Sequence, residues 1–133
     1  MCIVWHILAG LAGLLTGAVL HGAIKAARFE IPFSRSLRSA GLLTSSAPIT
    51  NSFVSLAASL LFSAAAAGAA LVWFRSYAVA YLAVLAAVAV RSLPHTGHSG
   101  GNAVEFLEAN REHVDPERYE ETRQLHYNTI RFR

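Results

Sequence analysis

Residues 3–20, Ile-Val-Trp-His-Ile-Leu-Ala-Gly-Leu-Ala-Gly-Leu-Leu-Thr-Gly-Ala-Val-Leu, carry no charged side chain and place glycines at 10, 13 and 17. A hydrocarbon core takes about 20 apolar residues as a helix, and continuing through Gly22–Ile24 brings this run to that length. Gly13 and Gly17 form a small-xxx-small pair, the spacing that lets a second backbone approach closely in lipid. A secretory signal would need a positively charged start and a small-residue cleavage site before Lys25, and the run has neither. It reads as a first transmembrane helix.

The same pattern recurs outward from it. Phe53–Phe74 is a second apolar run and Tyr77–Val90 a shorter third, extended by Leu93 and a snorkelling Arg91. Ser55, Ser59, Ser63 and Ala67 stand four apart on one face of the second, and the third offers Ala83 and Ala87. Only Arg75 and Ser76 separate these two runs, among Trp73, Phe74, Tyr77 and Tyr81, so a close hairpin with an aromatic interfacial belt is expected. The acids agree with this reading. Of eight in all, Glu30 alone precedes Arg91, and the rest lie between Glu105 and Glu121. With 14% charged residues and a mean hydropathy of +0.42, the chain is too apolar for an ordinary soluble domain of 133 residues. The expected fold is an all-α membrane protein of about three transmembrane helices with small-residue packing stripes, at 3–24, 50–74 and 77–93. They form a membrane domain, 1–94, followed by a soluble polar helical tail, 95–133.

The connection from Lys25 to Ser46 continues the first helix to Ile31, where Pro32 is expected to break it. It carries Lys25, Arg28, Arg35 and Arg38. By the positive-inside rule this loop and the tail share the cytosolic or matrix side, and Arg75 lies opposite. These cations have two readings: topogenic charge with solvated heads, or a site for anionic head groups, to which basic pockets at that leaflet are suited. Pro48 opens the second span near its first turn. In the tail, residues 95–101 read as a linker and 103–113 as a polar helix. Asp115-Pro116-Glu117 reads as a helix start. The helix it opens has too few apolar residues to bury a face alone, and is solvated or laid on a partner.

Chemistry is sparse. No nucleophile–base–acid set and no phosphate-binding glycine loop is present, so no catalytic residue is assigned. His95 and His98 are two ligands without a nearby acid, short of a metal site. His6 and His21 stand about 22 Å apart at helical rise, too far to share one haem. Either could ligate haem with a histidine from another subunit. The spans hold no acid or internal cation, which argues against an ion pathway through this chain alone.

Read in order, Gly13-x-x-x-Gly17, His21-Gly-Ala-Ile-Lys25-Ala-Ala-Arg28, Pro32, Gly41, Ala47-Pro48, Ser52-Phe53, Phe62-Ser63 and the small-residue run from Ala83 to Arg91 resemble the mitochondrial inner-membrane translocase family (the Tim seventeen, twenty-two and twenty-three group). The resemblance covers roughly residues 11–91. Ser46-Ala47-Pro48 stands where the family has Arg-Ala-Pro, Ala64-Ala65-Ala66 where translocating members have Asp-Cys, and the polar tail where they have a fourth span. In those members acids in a lateral groove are thought to engage basic presequences. The same fold also serves as an accessory subunit of respiratory complex I, binding lipid beside the membrane arm. For this chain, with no acid in any span, the resemblance implies that second role: a non-catalytic subunit in the mitochondrial inner membrane, with packing on Gly10, Gly13, Gly17, Ser55, Ser59, Ser63 and Ala67. Lys25, Arg28, Arg35 and Arg38 would hold lipid head groups. The expected partners are the membrane, a larger membrane complex and anionic phospholipid such as cardiolipin; no cofactor, metal or nucleic acid is expected. An import-translocase core subunit is the alternative, and a haem-bearing membrane anchor a further one.

Overall fold

The computed structural model describes residues 2–131, with side chains to residue 127. Its helices are α1 (Cys2–Lys25), α2 (Ile31–Ser39), α3 (Ala47–Trp73), α4 (Ala78–Ser92), α5 (Gly100–Ala109) and α6 (Pro116–Arg131). No strand occurs among the described residues. Three stretches, Cys2–Ser39, Ala47–Trp73 and Arg75–His95, are long and apolar enough to cross a membrane. The chain is thus an all-helical, multi-pass membrane protein with further helices after the third span. α4 alone is about 22 Å long at helical rise. The short 3-10 turns Arg75–Tyr77 and Leu93–His95 lengthen that stretch to 21 residues.

Pro32 does not break the first helix. Between α1 and α2 the backbone passes through a π-helical turn, Ala26–Glu30, closed by a hydrogen bond from the Ile31 N–H to the Ala26 carbonyl. Proline costs an α-helix one hydrogen bond and a clash with the carbonyl four residues back. A wider turn immediately before the ring opens that spacing, and α2 begins with Pro32 in its first turn, where no N–H is needed.

The contacts divide the chain into two units, Met1–Ile24 with Ser55–His95, and Lys25–Val54 with Thr96–Arg133. The second boundary falls after residue 95, and the sequence reading divided the chain after residue 94. Residues 25–54, counted there with the membrane part, instead pack with the tail.

In the first unit, α1, α3 and α4 meet around Ala9, Ala70 and Tyr81, with Ala12, Ala67, Phe74, Tyr77, Ala80 and Leu85 alongside. Most large apolar side chains here point outward: Ile3, Leu15, Leu61, Val72 and Val79 are each at least 71% exposed. Such a surface is stable against lipid and not against water.

The second unit has a core of its own. Phe29, Phe33 and Leu37, four apart on one helix face, pack with Leu42, Ala103, Phe106, Leu107, Val114 and Tyr119. Phe33 stacks on Phe29 at 5.1 Å and meets Phe106 edge-on at 5.4 Å. α2 ends on Gly41, whose φ of +73° carries the chain into the left-handed region. There the Leu42 N–H reaches the Leu37 carbonyl at 2.9 Å and the Gly41 N–H the Arg38 carbonyl at 3.0 Å, the hydrogen-bond pair of a Schellman cap. Leu43 then forms an antiparallel bridge with Val114, flanked by Thr44 N–H to His113 O and Asp115 N–H to Leu42 O. The helix α5 starts on Ser99, whose hydroxyl accepts from the Asn102 N–H. α6 starts as expected on Asp115, whose Oδ1 accepts from the Glu117 N–H at 3.1 Å. Far from lacking a partner, the tail is laid on residues 29–43 of its own chain.

Candidate functional site

Glycine on one helix permits a large residue on its neighbour, and the seam between α1 and α4 is built that way. A β-carbon added at Gly13 would stand 2.5 Å from the Tyr81 carbonyl oxygen, and one at Gly17 would stand 2.8 Å from Val88. Gly10 is looser, with Val84 at 3.7 Å. The α4 face that fills these gaps is Tyr81, Val84 and Val88. The expected small face, Ala83 and Ala87, is exposed. The sequence reading looked for small residues on both sides, whereas the packing sets large against small.

Tyr81 was placed by sequence in the interfacial belt, and the structure corrects this. Its ring is 1% exposed and its hydroxyl donates to Thr16 Oγ1 at 2.9 Å, which in turn donates to the Ala12 carbonyl at 2.9 Å. A buried phenol in an apolar seam requires such an acceptor. At the hairpin end the aromatic group is Trp5, Phe74 and Tyr77: Trp5 lies 6.1 Å from Phe74 and 6.5 Å from Tyr77. His6 sits edge-on to Tyr77 at 4.7 Å, with Nδ1 2.7 Å from the Cys2 carbonyl. At the other end His21 Nδ1 is 2.7 Å from Ser92 Oγ.

The serine stripe is used unevenly. Ser55 is exposed, Ser59 and Ser63 are half-buried, and Ala67 joins the three-helix contact. The Ser63 hydroxyl oxygen is buried without a hydrogen-bond partner among the described residues.

Of the four cations assigned to head groups, three are engaged by protein. Lys25 pairs with Glu105 at 3.3 Å, Arg28 donates to the buried Thr96 hydroxyl at 3.2 Å, and Arg35 lies 5.5 Å over the Phe53 ring. Arg38 is at the surface, in the last turn of α2. The tail therefore reaches this loop through a carboxylate and a hydroxyl, which the sequence reading left to lipid. Lys25 stands four residues before the buried Phe29, so the signal available was a cation and an aromatic on one helix face.

His98 and His126 flank Phe33, with ring centroids 6.4 Å apart. Burial, and then the neighbouring His98, hold the His126 imidazole below its ordinary value. No group of three or more His, Cys, Asp or Glu able to hold a metal occurs among the described residues. No protein-family model, curated protein or solved structure matches the chain.

Proposed function

We propose that this chain is a non-catalytic accessory subunit of a mitochondrial inner-membrane respiratory assembly, with NADH:ubiquinone oxidoreductase the first candidate. The observation that carries the reading is the acid-free membrane part: Met1–Ile24 and Ser55–His95 contain no Asp or Glu. A groove for basic presequences needs carboxylates, and an ion pathway needs ionisable groups within the spans. A packing subunit needs neither. It needs apolar outer surfaces for lipid and partner helices, and α3 offers Phe53, Val54, Leu61, Phe62 and Val72, all exposed. The choice of assembly and membrane rests on the translocase-like sequence pattern. The cation distribution supports an orientation with Lys25–Ser46 and the tail in the matrix and the hairpin at Arg75 opposite.

The glycine seam is occupied within the chain, so partner binding falls to the outer faces of α3 and not to Gly13 or Gly17. Native gels in mild detergent, followed by mass spectrometry, should place the chain in a respiratory complex. Comigration with protein-import components would replace this reading with the translocase one.

A further inference from the structure

We infer that the groove between α1 and α4 seats one anionic phospholipid, its phosphate on Arg91 and an acyl chain along Leu14, Ala18 and Val88. The groove has a volume of about 500 Å³ and lies wholly within the unit Met1–Ile24 with Ser55–His95. Leu14, Ala18 and Val88 line its apolar length, and Leu14 is 50% exposed. His21, Arg91, Ser92 and His95 close one end. An apolar trough ending in a guanidinium is complementary to a molecule with an apolar tail and an anionic head. An uncharged lipid would leave the cation unused, and a free anion would leave the trough empty.

Electrostatics favour Arg91 over Lys25, Arg28 and Arg35. Lys25 already has a carboxylate, Arg28 a hydroxyl and Arg35 an aromatic ring. The unit that holds Arg91 has no carboxylate at all. Arg91 also stands in the last turn of α4, where basic pockets between helices suit anionic head groups. The rest of this end is organised by hydrogen bonds. Ser92 Oγ donates its only proton to the Val88 carbonyl at 2.8 Å, so its 2.7 Å contact with His21 must be donated by Nδ1. That fixes the ring against α4 and keeps its Nδ1 from competing for the phosphate. The inference requires a membrane-inserted chain and does not depend on which assembly contains it.

The test uses the full chain extracted in mild detergent and native mass spectrometry, with phosphatidylglycerol or phosphatidylcholine added at equal concentration. Phosphatidylglycerol should be retained about fivefold better, the effect of one cation at a membrane surface. Arg91→Gln should abolish that preference, while Arg91→Lys and Arg75→Gln keep it. Leu14→Trp, which fills the trough, should lower retention of both lipids. Equal retention by the unaltered protein, an undiminished preference in Arg91→Gln, or an equal loss in Arg75→Gln would overturn the assignment. So would displacement of the lipid by millimolar inorganic phosphate, or a Soret band on haem addition that His21→Ala removes. Release of the chain by alkaline carbonate would instead refute membrane insertion itself, a result distinct from all of these.

Discussion

Tyr81 and Thr16 share one hydrogen bond but are not equivalent. Thr16 keeps a use for its proton on the Ala12 carbonyl when the phenol is gone, whereas the Tyr81 hydroxyl has no other hydrogen-bond partner among the described residues. Tyr81→Phe should therefore cost little, about 0.6 kcal/mol as for other hydrogen bonds between membrane helices. Thr16→Val strands a buried hydroxyl and should cost about 1–3 kcal/mol. Reversible unfolding in detergent micelles measures both, and equal losses would show that the bond itself, not the orphaned group, sets the energy. Gly13 is less forgiving than either, since even Gly13→Ala drives a methyl against the Tyr81 carbonyl. In the tail, His126 gives the second unit a pH dependence. Its folded value is depressed, so its contribution is complete above the unfolded value of about 6.5 and lost as pH falls through the folded value. Amide exchange in α6 should accelerate on acidification from about pH 7.5 to 5.5, beyond the intrinsic pH effect. His126→Phe should flatten that response, and an unchanged response would assign it to other groups.

At the scale of elements, the join between α1 and α2 decides how the tail folds. Phe29 and Phe33 straddle Pro32, and a break at the proline would separate two residues that must share a face. The π-helical turn keeps them stacked, and Leu37 extends the same row. The row ends where Gly41 turns the chain so that Leu42 can lie beside Leu37. Gly41→Ala should cost about 1–2 kcal/mol, the penalty of a β-carbon in the left-handed region. A change below a few tenths would show that the cap relaxes to another geometry. Removing residues 96–133 should expose Phe29, Phe33 and Leu37 together and raise amide exchange across 33–42. Continued protection there would mean that the α5–α6 packing contributes nothing to this segment. Asp115 and Pro116 opened α6 legibly, because a cap is a local arrangement of neighbouring residues. The contact of α6 with the end of α2 was not legible, because Arg118 and the Ala40 carbonyl it donates to are 78 residues apart.

For the whole molecule the proposed orientation predicts opposite accessibility of its two ends. Cys2 is exposed and is the only cysteine. In sealed inner-membrane preparations with the outer face outward, an impermeant thiol reagent should label Cys2. A cysteine introduced at Glu121, with Cys2→Ser, should react only after permeabilisation; the reverse pattern would invert the topology. The sequence by itself determined the helical class, three apolar stretches, the acid-free membrane part and the local caps, because each follows from composition or from residues a turn apart. Tertiary structure decided which small residues matter: Gly13 and Gly17 oppose Tyr81 and Val88, a match of shapes between distant segments that no period announces. It also decided that Lys25 and Arg28 meet the tail, and that Arg91 stands over an apolar groove in a unit without carboxylates. Spacing along the chain ranks neighbours on one helix, and only packing chooses the faces that different helices bring together.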